Sequence, residues 1–142
     1  MLELRLSELA QSLGVDCESG DAVVTGLAID SRVVKPGDLF VAIDGEHVDG
    51  HDFIDKALDS GAAAIACTRA IDVAAPHIKA TDSHQVCAIY GQLIRDRFHG
   101  SVIGITGSAG KTTAKSFLES ICGLAGATVA TLGNQNLSLI HI

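Results

Sequence analysis

The residues of this sequence that are best suited to chemistry form one glycine-rich run at 107–113. The run reads Gly107, Ser108, Ala109, Gly110, Lys111, Thr112 and Thr113. Its glycines let backbone N–H groups approach phosphate oxygens, Lys111 can reach terminal phosphates, and the Thr112 hydroxyl can ligate Mg²⁺. The general pattern has a further glycine five residues before Gly110, where Ile105 stands here. We predict a binding site for a nucleoside triphosphate; the alternative is a plain strand-to-helix turn with a solvated lysine.

The flanking segments are of the kind that positions such a loop. The apolar stretch 101–106 predicts a buried strand before it, and the pattern of 114–124 predicts a helix after it. The helix N-terminus adds about half a positive charge at the point where a phosphate would sit. This context favours the phosphate-binding interpretation over the plain turn.

Composition restricts the remaining function classes. Ten basic residues against 17 acidic ones give a formal net charge of −7, which argues against a general nucleic-acid binder. The sequence has no apolar run long enough to span a membrane and no signal-peptide pattern, so we expect a cytoplasmic location. The four cysteines and six histidines show no metal-ligand spacing, so we expect reduced thiols and no protein-only metal site.

Helical and strand patterns alternate along most of the chain. Helices are predicted at 6–13, 53–60 and 83–98, and strands at 22–29, 38–43, 62–67, 77–80 and 128–132. This alternation predicts an α/β fold with mostly parallel strand pairing. A domain boundary is expected near 81–83.

Three segments together resemble the Mur ligases, the ATP-dependent enzymes that add amino acids to the peptidoglycan precursor. They are 30–42, which reads DSRVVKPGDLFVA; 45–54, which reads GEHVDGHDFI; and the glycine-rich run itself. The resemblance implies a uridine-nucleotide-binding N-terminal domain over 1–82. It also implies that 83–136 begins a P-loop ATPase domain with its first strand, loop, helix and strand.

The resemblance assigns roles to individual residues. Residues 107–113 would cradle the ATP phosphates, with Lys111 offsetting developing charge and Thr112 holding Mg²⁺ through ATP. The implied substrate contacts are Ser31 and Arg32 on the UDP-sugar, Gly45, Glu46 and His47 around the uridine, and Asn134 and Asn136 on the substrate or the metal-bound phosphate. Structural alternatives stay open: 30–32 as a capped turn, His47 and His51 as loop and helix-start residues, and Asn134 as a helix-end or turn residue.

The implied reaction forms an amide through an acyl phosphate. A substrate carboxylate attacks the γ-phosphate of ATP, and the incoming amine then displaces phosphate. The segment 133–136 resembles the Gly-Asn-x-Asn motif of the family member that joins D-alanyl-D-alanine to UDP-MurNAc-tripeptide. The expected partners are therefore UDP-MurNAc-peptide and D-Ala-D-Ala, with a monomeric full-length protein. Alternatives are the member that adds the third residue, diaminopimelate or lysine, and a non-catalytic nucleotide-binding module.

The last six residues, 137–142, depart from the family pattern. Their sequence, LSLIHI, matches a translation of the transposase end used in DNA sequencing libraries. We therefore expect a non-native, adapter-derived tail after Asn136, with a genuine apolar strand as the alternative. The chain is expected to lack ligase activity by itself.

Overall fold

The computed structural model describes residues 2–45 and 48–131 of the chain. They fall into two compact units, the first running to Phe98 and the second beginning at His99. The strands are β1 (Leu4–Arg5), β2 (Cys17–Glu18), β3 (Val23–Val24), β4 (Gly26–Ala28), β5 (Asp38–Val41), β6 (Ala64–Cys67) and β7 (His77–Lys79). The helices are α1 (Leu6–Leu13), α2 (Ile54–Asp59), α3 (Ser83–Arg97) and α4 (Lys111–Ala125), and a short 3₁₀ turn covers Gly50–Phe53.

A five-stranded sheet with the order β2-β7-β6-β5-β4 forms the centre of the first unit. Strands β4, β5, β6 and β7 are parallel, and β2 pairs antiparallel with β7 at one edge. Strands β1 and β3 form a separate antiparallel pair. The α/β fold with mostly parallel pairing is thereby confirmed.

Both faces of the sheet are covered, because successive side chains of a strand point to opposite faces. Leu39 and Val41 of β5 belong to one apolar cluster, and Phe40 and Ala42 belong to another. The first cluster contains buried residues of α1 and α3, and the second contains buried residues of α2. Burial on both faces explains why β5 and β6 read as continuous apolar runs in the sequence.

The predicted helices 6–13, 53–60 and 83–98 and the strands 38–43, 62–67 and 77–80 are confirmed, with shifts at their ends. The prediction of a single strand at 22–29 is wrong, because its residues belong to two different sheets. Val23–Val24 pairs with β1, whereas Gly26–Ala28 pairs with β5. Between them Thr25 donates its N–H to the Gly37 carbonyl at 2.9 Å. The short strands β1 and β2 were not predicted.

The first unit ends later than the boundary expected near 81–83. Helix α3 contributes Val86, Cys87 and Tyr90 to the cluster that also contains Leu6 and Leu9 of α1. The helix is therefore part of the core of the first unit, and the structural boundary falls after Phe98. The assignment of the two units to UDP-sugar and ATP binding stays a prediction.

The described part of the second unit contains helix α4 but no strand over 99–131. The strand predictions for 101–106 and for 128–131 are therefore wrong within these residues, and Leu132 lies outside them. Val102 and Ile103 are 62% and 57% exposed. A parallel strand is stabilised by paired neighbours and by cover on both faces, and the described residues of this unit supply neither.

No helix in the described ranges 2–45 and 48–131 has the length and apolar character needed to cross a bilayer.

Candidate functional site

The carboxyl ends of β4, β5 and β6 lie at one edge of the parallel sheet. Ser31 and Arg32 follow β4, Gly45 follows β5, and Thr68 and Arg69 follow β6. In open α/β sheets, ligands bind at this edge because the loops that leave the strands converge there. The topology therefore places most of the substrate residues predicted in the first unit on one side of the sheet.

Ser31 is buried, with a relative exposure of 6%. Its hydroxyl forms no hydrogen bond to any residue within the described part of the chain. A buried hydroxyl normally has a partner, and where the protein supplies none a ligand or water can complete it. Ser31 is thus suited to contact a polar ligand at this edge.

Arg32 is exposed and held by its neighbour Asp30. The two Asp30 carboxylate oxygens accept hydrogen bonds from Arg32 Nε at 2.9 and 3.1 Å and from Nη2 at 2.6 Å. Asp30 also accepts the Arg32 backbone N–H at 2.9 Å, so the capped turn considered from the sequence does form. These side-chain and backbone hydrogen bonds from Arg32 lower the pKa of Asp30 to about 2. The guanidinium fork is therefore paired with an anion of its own turn, and the same planar fork also suits a pyrophosphate.

The loop after β5 closes through short backbone contacts. Gly45 donates its N–H to the Val48 carbonyl at 3.1 Å, and Gly50 donates its N–H to the Ile43 carbonyl at 2.8 Å. A Cβ on Gly50 would lie 2.5 Å from the Ile43 nitrogen, so this position requires glycine. Two residues of the predicted uridine pocket, Glu46 and His47, lie outside the described residues, as do Asn134 and Asn136.

A cluster of polar groups joins this loop to the end of β6. His51 Nδ1 lies 2.8 Å from Asp49 Oδ1 and 3.2 Å from Asp44 Oδ1. On the other side of the ring, Nε2 accepts the Thr68 backbone N–H at 3.1 Å. Thr68 donates its hydroxyl to Asp44 Oδ2 at 2.9 Å. The cluster therefore links the loop after β5 to the first residue after β6.

Asp49 is the most heavily bonded acid of this cluster. Its carboxylate accepts the His51 backbone N–H at 2.8 Å and pairs with Arg69 Nη1 at 2.6 Å. The His51 backbone hydrogen bond, supported by the His51 ring and Arg69, lowers the pKa of Asp49 to about 2. Asp44, Asp49 and His51 also bring potential ligand atoms within 4.8 Å of one another, a spacing compatible with a metal ion.

The glycine-rich run of the second unit leads directly into α4. Gly107 has φ +151° and Gly110, the residue that caps α4, has φ +77°, both in the region that favours glycine. Ala114 donates its N–H to the Gly110 carbonyl at 2.9 Å, and the first N–H groups of any helix lack intrahelical partners. The Lys111 ammonium folds back onto the Gly107 carbonyl.

This arrangement fits a phosphate group. A Cβ at Gly110 would meet nothing within 4 Å, so the loop surface there is open to a ligand. The helix N-terminus and the Lys111 ammonium both favour negative charge at the same point. The predicted helix 114–124 is confirmed and begins earlier, at Lys111.

A family model described as "Mur ligase family, catalytic domain" matches residues 23–107, which is more than half of the chain. The chain belongs to the Mur ligase family. The matched segment runs from the end of the β1–β3 pair, through the parallel sheet and α3, to the first glycine of the phosphate loop. The family resemblance inferred from 30–42, 45–54 and the loop is thereby confirmed.

Curated relatives of this Mur ligase chain include two kinds of ligase. UDP-N-acetylmuramoyl-tripeptide--D-alanyl-D-alanine ligase of Escherichia coli (strain K12) is 33% identical over 136 residues, which cover 96% of this chain and 30% of the relative. UDP-N-acetylmuramoyl-L-alanyl-D-glutamate--2,6-diaminopimelate ligase of Listeria monocytogenes serotype 4b (strain F2365) is 38% identical over 149 residues, which cover 94% of this chain and 30% of that relative. The chain thus spans about a third of the length of these relatives, and both kinds of ligase are similar to it.

Solved structures agree with the fold. A crystal structure of MurF from Acinetobacter baumannii matches with a TM-score of 0.77 at 27% identity, over 94% of this chain and 30% of that one. MurF ligase from Thermotoga maritima, solved in complex with ADP, matches with a TM-score of 0.67 at 35% identity, over 82% of this chain and 27% of that one. These matches confirm the α/β fold class of a Mur ligase N-terminal region.

The sequence analysis missed five residues of the site: Asp44, Asp49, His51, Thr68 and Arg69. Thr68 and Arg69 directly follow a strand that was itself predicted, so their place at the carboxyl edge of the sheet was an available signal. The contacts between the loop after β5 and the end of β6 had no such signal, because they depend on how the two strands align.

Proposed function

We propose that this chain carries the UDP-sugar-binding domain and the phosphate loop of an ATP-dependent ligase that adds D-alanyl-D-alanine to UDP-MurNAc-tripeptide. The product is a peptidoglycan precursor. The observation that carries the proposal is that Ser31, buried and without a hydrogen-bond partner among residues 2–45 and 48–131, is followed at the carboxyl edge of the sheet by the exposed guanidinium of Arg32. A nucleotide-linked sugar offers both a polar group for Ser31 and a pyrophosphate for Arg32.

In this proposal the residues of the second unit bind and orient ATP. The backbone around Gly107 and Gly110 receives the phosphates, and Lys111 balances their charge. Thr112, in the first turn of α4, would hold Mg²⁺ with its hydroxyl. ATP supplies the phosphoryl group that activates the substrate carboxylate, and the incoming amine then forms the amide.

The first unit would bind the UDP end of the acceptor substrate. Arg32 would turn from Asp30 toward the pyrophosphate, since both are anions that match its fork. The backbone around Gly45 would line the uridine pocket, together with the predicted contacts from Glu46 and His47. A cytoplasmic location and a monomeric full-length protein belong to the same proposal.

A second candidate is the addition of diaminopimelate to the shorter UDP-linked peptide. The 38% identity to the diaminopimelate ligase from Listeria monocytogenes favours it. The D-alanyl-D-alanine assignment is supported by the residues Gly133, Asn134 and Asn136 in the sequence and by the 33% identity to the Escherichia coli ligase. The two candidates differ in both the acceptor peptide and the incoming amine.

A single assay separates the two candidates. The protein encoded by the whole genomic reading frame is incubated with ATP, Mg²⁺ and either of two substrate pairs, and phosphate release and amide product are measured. We expect turnover with UDP-MurNAc-tripeptide and D-Ala-D-Ala, and none with UDP-MurNAc-L-Ala-D-Glu and diaminopimelate. Turnover with the second pair alone would replace the first assignment by the second, and turnover with neither would reject both.

A further inference from the structure

His51 is a buried side chain that contacts three residues at the carboxyl edge, two in the loop after β5 and one after β6. Its side chain is 2% exposed, although the ring carries two polar nitrogens. One nitrogen meets the carboxylates of Asp44 and Asp49, and the other meets the backbone of Thr68. A buried polar ring with both nitrogens engaged is a fixed point of the structure.

The contacts of the ring determine its tautomer. The Thr68 backbone nitrogen carries a hydrogen and can only donate, so Nε2, 3.1 Å away, must accept with its lone pair. The ring hydrogen then resides on Nδ1, where Asp49 Oδ1 accepts it at 2.8 Å. Because Nδ1 is a donor, it offers no lone pair to a metal. The cluster of Asp44, Asp49 and His51 is therefore satisfied as a hydrogen-bonded unit.

This hydrogen-bonded cluster connects the loop after β5 to the end of β6. The loop after β5 closes on itself through Gly45–Val48 and Gly50–Ile43 backbone hydrogen bonds. Among the described residues, it is joined to the end of β6 by the bond of the Thr68 N–H to His51, the bond of the Thr68 hydroxyl to Asp44 and the ion pair of Asp49 with Arg69. The side chains of Asp44 and Arg69 are more than half exposed, whereas that of His51 is 2% exposed.

We infer that His51, in its Nδ1–H tautomer, is a positioning residue that fastens Asp44 and Asp49 to the end of β6 and so holds Gly45, which follows Asp44, in place for a uridine nucleotide. The inference rests on the proposed function, because it takes the ligand of this edge to be the UDP-sugar. His51 itself acts through the loop and the carboxylate of Asp49. The nucleotide affinity should therefore depend on the hydrogen-bonding pattern of the ring as well as on its volume.

The tautomer is tested on the wild-type chain by NMR with ¹⁵N-labelled histidine, using His51→Gln to assign the signal. We expect the His51 resonances of a ring protonated at Nδ1 and unprotonated at Nε2, unchanged by equimolar Zn²⁺. A ring protonated at Nε2, or a His51 signal that shifts on Zn²⁺ addition, would overturn the inference.

Positioning is tested by titrating UDP-MurNAc-tripeptide into variants of the same chain. His51→Ala should weaken binding about tenfold, the scale of leaving buried hydrogen-bonding groups unpaired. His51→Asn, which keeps a donor near the Nδ1 position, should recover part of that loss. The matched control is His77→Gln. His77 is also buried, but it lies in β7 and contacts Ala75 and Glu18, away from the loop after β5.

The outcomes separate this inference from the proposed function. Equal affinity in wild type and His51→Ala, or an equal loss in His77→Gln, would overturn positioning by His51. If the wild-type chain shows the expected tautomer but does not bind UDP-MurNAc-tripeptide, the proposed substrate is wrong. In that case the role of His51 for the nucleotide falls with it, and the fastening of the loop stands on the NMR result. Should His51→Ala fail to fold, His51→Asn and the wild-type spectrum still decide.

Discussion

Two aspartates at the carboxyl edge, Asp30 and Asp49, have pKa values well below the usual range of a carboxyl group. Asp30 and Asp49 each accept a backbone N–H two residues ahead, from Arg32 and His51 respectively. Each also pairs with an arginine, Arg32 or Arg69. These contacts favour the ionised carboxylates, and for both groups they lower the pKa from 3.8 to about 2.

The lowered pKa values predict how stability depends on acid. A carboxyl whose pKa is depressed in the folded state stabilises the fold above its unfolded pKa, and this contribution is lost as the pH falls toward the folded pKa. The urea midpoint should therefore drop between roughly pH 4 and pH 2, the window set by 3.8 and about 2. Asp49→Asn should flatten this drop.

The control for this pH dependence is Asp72→Asn, since Asp72 is exposed and forms no hydrogen bond or ion pair within the described part of the chain. Its urea midpoint should follow that of the wild type over the same range. A wild-type midpoint that stays constant on acidification, or an unchanged slope in Asp49→Asn, would contradict the account of these carboxylates.

At the same scale, sequence reasoning found the residues whose neighbours are local. Ser31 and Arg32 are in a short segment whose turn, capped by Asp30, could be anticipated. Thr68 and Arg69 escaped notice because their partners, Asp44 and Asp49, are about twenty residues away in sequence. Such contacts follow from the parallel register of β5 and β6, which a single sequence does not specify.

At the scale of elements, helices were predicted better than strands. Helix α1 ends at Leu13, as predicted, and Gly14 follows it with φ +69°. A helix satisfies its own backbone, whereas a strand requires a partner. The segment 22–29 was therefore assigned to one strand although two sheets divide it, and 101–106 was assigned to a strand that has no neighbour in the described chain.

The connection from α2 to β6 contains a glycine, Gly61, whose replacement should destabilise the fold. Gly61 has φ +98°, and a Cβ there would lie 3.1 Å from the Pro36 Cα. We expect Gly61→Ala to lower the free energy of unfolding by about 2–3 kcal/mol, from backbone strain and the backbone contact together. Urea denaturation followed by circular dichroism measures this change.

Gly14→Ala is the matched control for Gly61→Ala. Gly14 also has a positive φ, of +69°, but its Cβ would meet nothing within 4 Å. This variant should lose about 1 kcal/mol, the strain of the left-handed conformation alone. Equal losses in the two variants would show that the turn at Pro36 yields to the new methyl group.

At the scale of the whole molecule, each unit carries a different candidate site. The first unit has its core on both faces of a parallel sheet and its polar residues at the carboxyl edge. The second unit has the phosphate loop and α4, on which Phe117, Ile121 and Leu124 are exposed. The family and the fold class could be predicted from motifs and alternation, whereas the structural boundary after Phe98 required knowledge of how α3 packs.

The central claim is that the edge of the first unit binds a UDP-sugar and the loop of the second binds ATP phosphates. Calorimetry on the 142-residue chain tests it, with UDP-MurNAc-tripeptide and Mg·ATP titrated separately into wild type, Arg32→Ala and Lys111→Ala. We predict that Arg32→Ala weakens only the UDP-sugar, by about tenfold or more, and that Lys111→Ala weakens only ATP. A wild-type chain that binds ATP but does not bind UDP-MurNAc-tripeptide would contradict the claim and favour a nucleotide-binding module.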